Sequence, residues 1–255
     1  MKLLATVKRR LALAACCCLV PPSVAPGQSA QKAQSCQAEV FVPESLKNDQ
    51  VVSSPDGHLH AVLGGYREEK DSESGWLRVF EGKRLIREYE LKDLSGGIFV
   101  KWAPDSAAFY LMWSNGGMTG GYEVRVFRVG DEGVREVPAV TQALKEFTQK
   151  HHCHDRGENI YAVRWVGQSD DLMIATQVYP TSDCGKDMGF TAGYLVRIDD
   201  GGISARYSQS AVETEMKNCP SAIWPTGFWG DDTLKEAKTK LNENPDKPGA
   251  EQKKR

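Results

Sequence analysis

Long hydrophobic runs are missing from this 255-residue chain. The longest unbroken apolar stretch, residues 11–20, holds ten residues. A helix that crosses a bilayer needs about 20, so no transmembrane span is expected. A basic surplus is missing too: 32 Lys and Arg stand against 34 Asp and Glu, for a formal charge of −2. The only basic clusters are residues 8–10 and the closing Lys253-Lys254-Arg255. A nucleic-acid binder needs a basic face, so none is expected here. Catalytic signatures are also lacking. Residues 202–206 (GISAR) approach the Gly-x-Ser-x-Gly elbow and break at its last position. There is no His-Glu-x-x-His, no EF-hand loop and no Gly-Lys-Ser/Thr phosphate loop. No catalytic residue, metal or cofactor is expected on these grounds.

What is present begins with a leader. Lys8, Arg9 and Arg10 precede the apolar residues 11–20, and Pro21-Pro22 and small residues follow. That order predicts a secretory signal peptide over residues 1–30, and a secreted or periplasmic protein. A rival reading takes residues 13–16 (LAAC) as a lipoprotein processing site with Cys16 lipidated. Removing residues 1–30 takes away four basic residues and no acidic ones, which moves the formal charge from −2 to −6.

Of the seven cysteines, Cys36, Cys153, Cys184 and Cys219 remain after the leader. An even number in an oxidising compartment reads as disulfides, with three possible connectivities. The pairing expected is Cys153 with Cys184 and Cys36 with Cys219. The second pair would close the longest loop, where a cross-link constrains the unfolded chain most.

The body of the chain repeats. Residues 52–65 (VSSPDGHLHAVLGG) and 100–113 (VKWAPDSAAFYLMW) share Pro-Asp at 55–56 and 104–105, an offset of 49. The RVF triplets at 78–80 and 125–127 are 47 apart, and Arg87-Glu88 and Arg135-Glu136 are 48 apart. A third copy starts at residue 161, with Val163 and Trp165 matching Val100 and Trp102 and with Gly167-Gln168 in place of Pro-Asp. Runs rich in Val, Tyr, Phe and Trp between turn-forming SPDG, EGK, VGDEG and DDGG make each copy antiparallel β structure. Asp56 and Asp105 are expected to tie turn backbone rather than act as acids. In residues 122–129 the apolar side crosses over at Phe127, which predicts a bulge near Val126.

One helix is predicted after Pro138, with Thr141 as N-cap and Val140, Leu144, Phe147 and His151 on one stripe. It reads as an insertion between the second and third copies. From residue 231 on, 13 of 25 residues are charged, which predicts a largely disordered tail.

The SSPDGHLHAVL and WAPDSAAFYLM segments resemble the repeat of WD-repeat-like β-propellers of the TolB type, over roughly residues 50–207. The resemblance implies a four-stranded antiparallel blade per copy and a binding-platform role. Three copies fall short of the four to eight blades of a closed propeller. The expected fold is therefore all-β: a small or incomplete propeller-like array of antiparallel sheets over residues 36–230, with one inserted helix. Terminal strands are expected to share a blade or cover an edge.

Three stretches and the scattered tryptophans invite chemistry. Residues 151–155 (HHCHD) gather imidazoles, a thiol and a carboxylate, but adjacent residues cannot all face one metal, and a disulfide beside solvated histidines is the simpler reading. Residues 115–121 (NGGMTGG) form either a ligand-contacting loop, with Trp113, Asn115 and Tyr122 at its base, or a long hairpin whose glycines permit unusual φ. Residues 179–189 place Ser182, Asp183, Lys186 and Asp187 in one loop. Ser182 and Lys186 are four apart, not at the Ser-x-x-Lys spacing of a nucleophile and its base. Trp102 and Trp165 occupy matching repeat positions and are expected in the core, whereas Trp224 and Trp229 are freer. The function expected is an exported, non-enzymatic recognition or scaffold protein that presents residues 113–122 and 180–189 to a protein or envelope component. The alternative is a small secreted hydrolase or metal-dependent enzyme using loops 151–155 and 180–189.

Overall fold

The structure, a computed structural model, describes residues 38–69, 72–94, 96–114, 121–151, 158–179 and 184–218. Thirteen strands among them form three antiparallel sheets. The first sheet is a meander of β2 (Gln50–Ser53), β3 (Leu59–Glu69), β4 (Ser72–Glu81) and β5 (Arg84–Lys92). The second is a meander of β6 (Ile98–Trp102), β7 (Ala108–Ser114), β8 (Tyr122–Gly130) and β9 (Gly133–Val137). The third runs β10 (Asn159–Val166), β11 (Asp171–Gln177), β12 (Thr191–Arg197) and β13 (Ile203–Tyr207). Each repeat copy thus forms one four-stranded antiparallel sheet, the strand number that the resemblance implies. β1 (Glu39–Phe41) adds to the free edge of β6, so the N-terminal strand covers an edge of the second sheet.

The sheets stack in chain order around two cores. Leu63, Leu77 and Val79 of the first sheet meet Ile98, Val100, Trp102, Phe109, Leu111 and Phe127 of the second. The opposite face of the second sheet, with Phe99, Tyr110, Met112, Val124 and Val126, meets Ile174, Trp165 and Val196 of the third. The second sheet is covered on both faces, so all seven residues of β7 are buried. This corrects the expected bulge. The registers of β8 with β7 and β9 run unbroken through Val126. Val126 and Phe127 are both apolar because they point into different cores, not because the strand is kinked.

The turns show how closely two copies agree. Ser54 N–H donates to the Leu59 carbonyl at 2.9 Å and Gly57 N–H to the Ser54 carbonyl at 2.9 Å; Ala103 to Ala108 and Ser106 to Ala103 match them at 2.8 and 3.1 Å. Asp56 Oδ1 accepts from His58 N–H at 3.1 Å and Asp105 Oδ1 from Ala107 N–H at 3.0 Å, so both carboxylates do serve the turn backbone. The left-handed position falls on Gly57 (φ 75°) and Ser106 (φ 64°). In the third copy it falls on Gly167 (φ 73°), where the earlier copies carry proline. Proline is locked near −65°, so loss of Pro-Asp here goes with a different turn.

The predicted helix is present as α1 (Thr141–Lys150), but its N-cap is Val140 and Thr141 is its first residue, with no side-chain cap bond. Ala143 and Phe147 bury it against the core shared by the second and third sheets. A second helix, α2 (Gln209–Asn218), was not expected. It lays Val212 and Met216 on the outer face of the third sheet, and Gly193 of β12 gives it room. A Cβ at Gly193 would stand 2.5 Å from Val212 Cγ2. Arg164 of β10 donates to Glu215 of α2 at 3.0 Å and fixes the helix to the sheet. The leader and the charged tail, residues 231–255, lie outside the described residues.

Candidate functional site: the loop end of the second and third sheets

The neighbouring sheets are cross-tied at one end by bonds that recur with the repeat. Trp102 Nε1 donates to the Val52 carbonyl at 3.0 Å, and Trp165 Nε1 donates to the Lys101 carbonyl at 3.3 Å. Both indoles are buried, as the sequence predicts, and each reaches back to the matching strand of the preceding sheet. The turns are linked as well: Asp56 N–H donates to Ser106 Oγ at 3.1 Å, and Ser169 Oγ donates to Asp105 Oδ2 at 2.5 Å. The β6–β7 and β10–β11 turns therefore sit side by side. The strand ends that bound the β7–β8 connection (115–121) and the β11–β12 connection (178–190), Ser114 and Tyr122 in the second sheet and Gln177 and Thr191 in the third, lie at the opposite end of their sheets.

That end is aromatic. Tyr122, the first residue of β8, has its ring centroid 4.8 Å from that of Tyr161 and 6.4 Å from that of Phe99. Burial raises the pKa of both tyrosine hydroxyls, so they stay neutral hydrogen-bonding groups at physiological pH. Nearby, His151 at the C-terminal cap of α1 stacks on Phe190 at 4.1 Å and lies 5.0 Å from Phe147. Its Nδ1 is 3.4 Å from Asp187 Oδ2. Asp187 belongs to the one-turn 3-10 helix Gly185–Asp187 that contains Lys186. Asp187 N–H donates to the Cys184 carbonyl at 3.1 Å, and Gly189 N–H to the Val178 carbonyl at 3.1 Å, which closes the base of this loop.

The residues singled out from sequence separate on this geometry. Tyr122 is half-buried at the loop end, and Lys186 is exposed there. Trp113 is a correction: it is 3% exposed in the core between the first and second sheets, so its ring offers no stacking face. Its Nε1 has no hydrogen-bond partner among the described residues. Asn115, Ser182 and Asp183 lie outside the described residues, as do Cys36, Cys153 and Cys219. Cys184 is disulfide-bonded. Among the described residues no group of three or more His, Cys, Asp or Glu is placed to hold a metal, and no helix is long and apolar enough to cross a membrane.

Sequence reasoning missed a polar row at this end of the third sheet. Asn159, Gln177 and Thr191 lie opposite one another on β10, β11 and β12 and are all buried. Gln177 Nε2 donates to Thr191 Oγ1, which donates to the Gly189 carbonyl, at 3.3 and 3.4 Å. Asn159 Oδ1 accepts no hydrogen bond among the described residues. The signal was a polar residue at the end of each of three strands, visible only once the register is known. Compared with protein-family models, curated proteins and solved structures, the chain matches none.

Proposed function

We propose that this chain is an exported recognition or scaffold protein of propeller-like build, related in kind to the TolB-type repeats it resembles. In this reading the loop end of the second and third sheets meets a protein or cell-envelope partner. The supporting observation is that the strand ends bounding the two connections, with Tyr122 packed on Tyr161, lie opposite the turns cross-tied by Trp165–Lys101 and Ser169–Asp105. A rigid scaffold beneath loops lowers the ordering cost of binding. Tyr122, Asn115, Ser182, Asp183 and Lys186 are the contact residues of this proposal. The leader sends the chain out of the cytoplasm, with or without a lipid on Cys16, and Cys153 is the proposed disulfide partner of Cys184, leaving Cys36 for Cys219.

Capture from envelope extract on immobilised protein tests it. One partner is expected on the wild type and is lost with Tyr122→Ala combined with a Gly-Ser replacement of residues 180–183. Equal capture by both proteins, or none by either, sinks the reading. The hydrolase or metal-enzyme alternative draws only on the His151–Asp187 contact among the described residues. Stoichiometric zinc with Cys153 and Cys184 reduced would favour it.

A further inference from the structure

The stack of sheets has two unlike ends. The outer face of the third sheet is covered by α2. On the outer face of the first sheet, paired residues form two rows: Ser53, His60, Phe80 and Leu85, and Val51, Val62, Arg78 and Glu88. None of these eight belongs to either core. Val62 is 8% exposed, whereas Val51 is 58% exposed and Leu85 49%, at the two margins of the face. A third row holds Trp76, whose ring lies over Gly64 and Gly65 and carries the Arg78 guanidinium 3.8 Å from its centroid. Arg78 is ion-paired with Glu88 in the plane of the face.

We propose that this face is the contact surface of a twofold dimer of the chain. Among the described residues the equivalent face at the other end is occupied by α2, which disfavours head-to-tail stacking. A closed assembly that buries the open face therefore pairs it with itself. Its charges allow that pairing: a row with Arg78 beside Glu88 presents, after a twofold rotation, a cation opposite an anion, while a face of one sign would repel its copy. Strand-to-strand addition at the β5 edge is disfavoured, since Arg84, Arg87, Glu88, Glu90 and Lys92 charge that strand. With β4 ten residues long in a sheet of four strands, the face measures about 600 Å² per copy from standard strand spacings. About 1,200 Å² in all is the low end for a specific interface, so a weak, reversible dimer is what the proposal expects.

Sedimentation equilibrium of the full protein over about 1–200 μM, a range suited to a weak dimer, is the test. A reversible monomer–dimer equilibrium is expected. Val51→Glu combined with Leu85→Glu shifts it at least tenfold toward monomer, with an unchanged thermal midpoint measured where the wild type is monomeric. Val40→Glu, at an equally exposed valine of the second sheet (48%), leaves it unchanged. A monomer at every concentration overturns the proposal, including the case in which residues 219–255 cover the face of their own chain. So does a dimer that Val40→Glu weakens as much as the double substitution.

Discussion

The indole nitrogen of Trp102 lies 3.0 Å from the backbone oxygen of Val52, a residue of the neighbouring sheet. The bond fixes how far the second sheet rotates against the first, because a buried carbonyl at a sheet edge must find a donor. Trp165 repeats it one sheet later with Lys101. The tryptophans that mark the repeat in sequence are thus the pins that hold the copies together.

Trp102→Phe keeps an aromatic ring and removes the donor. It should cost about 1–3 kcal/mol, the penalty of an unsatisfied buried acceptor plus a small packing loss. Urea denaturation should show a lower midpoint with an unchanged slope. No loss would mean the bond does not set the packing of the two sheets.

Gly167→Pro restores the proline that the other copies carry, and should nonetheless destabilise. Gly167 has φ 73°, which a proline ring forbids. A loss above about 2 kcal/mol in thermal or chemical denaturation is expected. Improved stability would show that the third turn can adopt the geometry of the first two.

Gly193→Val fills the space between β12 and α2. The new side chain would collide with Val212 and with Tyr207 Cβ, 3.0 Å from the Cβ position. A loss of about 1–3 kcal/mol is expected. Hydrogen exchange should speed up first in Gln209–Asn218, while β6 and β7 keep their protection; uniform loss across the chain would refute the local account.

Glu146 of α1 accepts two hydrogen bonds from Arg206 of β13, at 2.8 and 2.6 Å, and one from Lys150. Those partners hold its pKa down at about 2, from an ordinary 4.5. A carboxylate with a depressed folded pKa contributes fully above the unfolded value and loses its contribution as pH falls through the folded one. Wild-type stability should therefore decline between about pH 4.5 and pH 2 more steeply than that of Glu146→Gln. Arg206 is largely exposed, so at neutral pH the substitution should cost no more than about 1 kcal/mol. Parallel stability–pH curves for the two proteins would rule out the linkage.

Much of the fold was legible because it is repeated and local. The SPDG and APDS turns carry their own geometry in Pro, Asp and the residue after it, and they mark each β-hairpin without any long-range information. The bulge predicted at Val126 failed for the opposite reason. Alternation identifies faces only where one face is wet, and at Val126 and Phe127 β8 is buried on both. Gln209–Asn218 escaped notice because its short apolar stripe, Val212 and Met216, has meaning only against the recess at Gly193.

The candidate site divides along the same line. Local chemistry pointed to Tyr122 and Lys186 as contact candidates; Tyr122 opens β8 and Lys186 lies in the short helix of the β11–β12 connection. That Trp113 is sunk in the first core, and that Asn159, Gln177 and Thr191 share a row, follows from register between segments many residues apart.

By itself the sequence determined the three-copy plan, its strands and turns, and the burial of Trp102 and Trp165, since these follow from side-chain pattern and backbone preference over a few residues. Only the tertiary structure decided which sheet lies in the middle, which outer face α2 covers and which end gathers the loops. Those outcomes depend on how whole faces pack, and a face is assembled from residues that the chain keeps far apart.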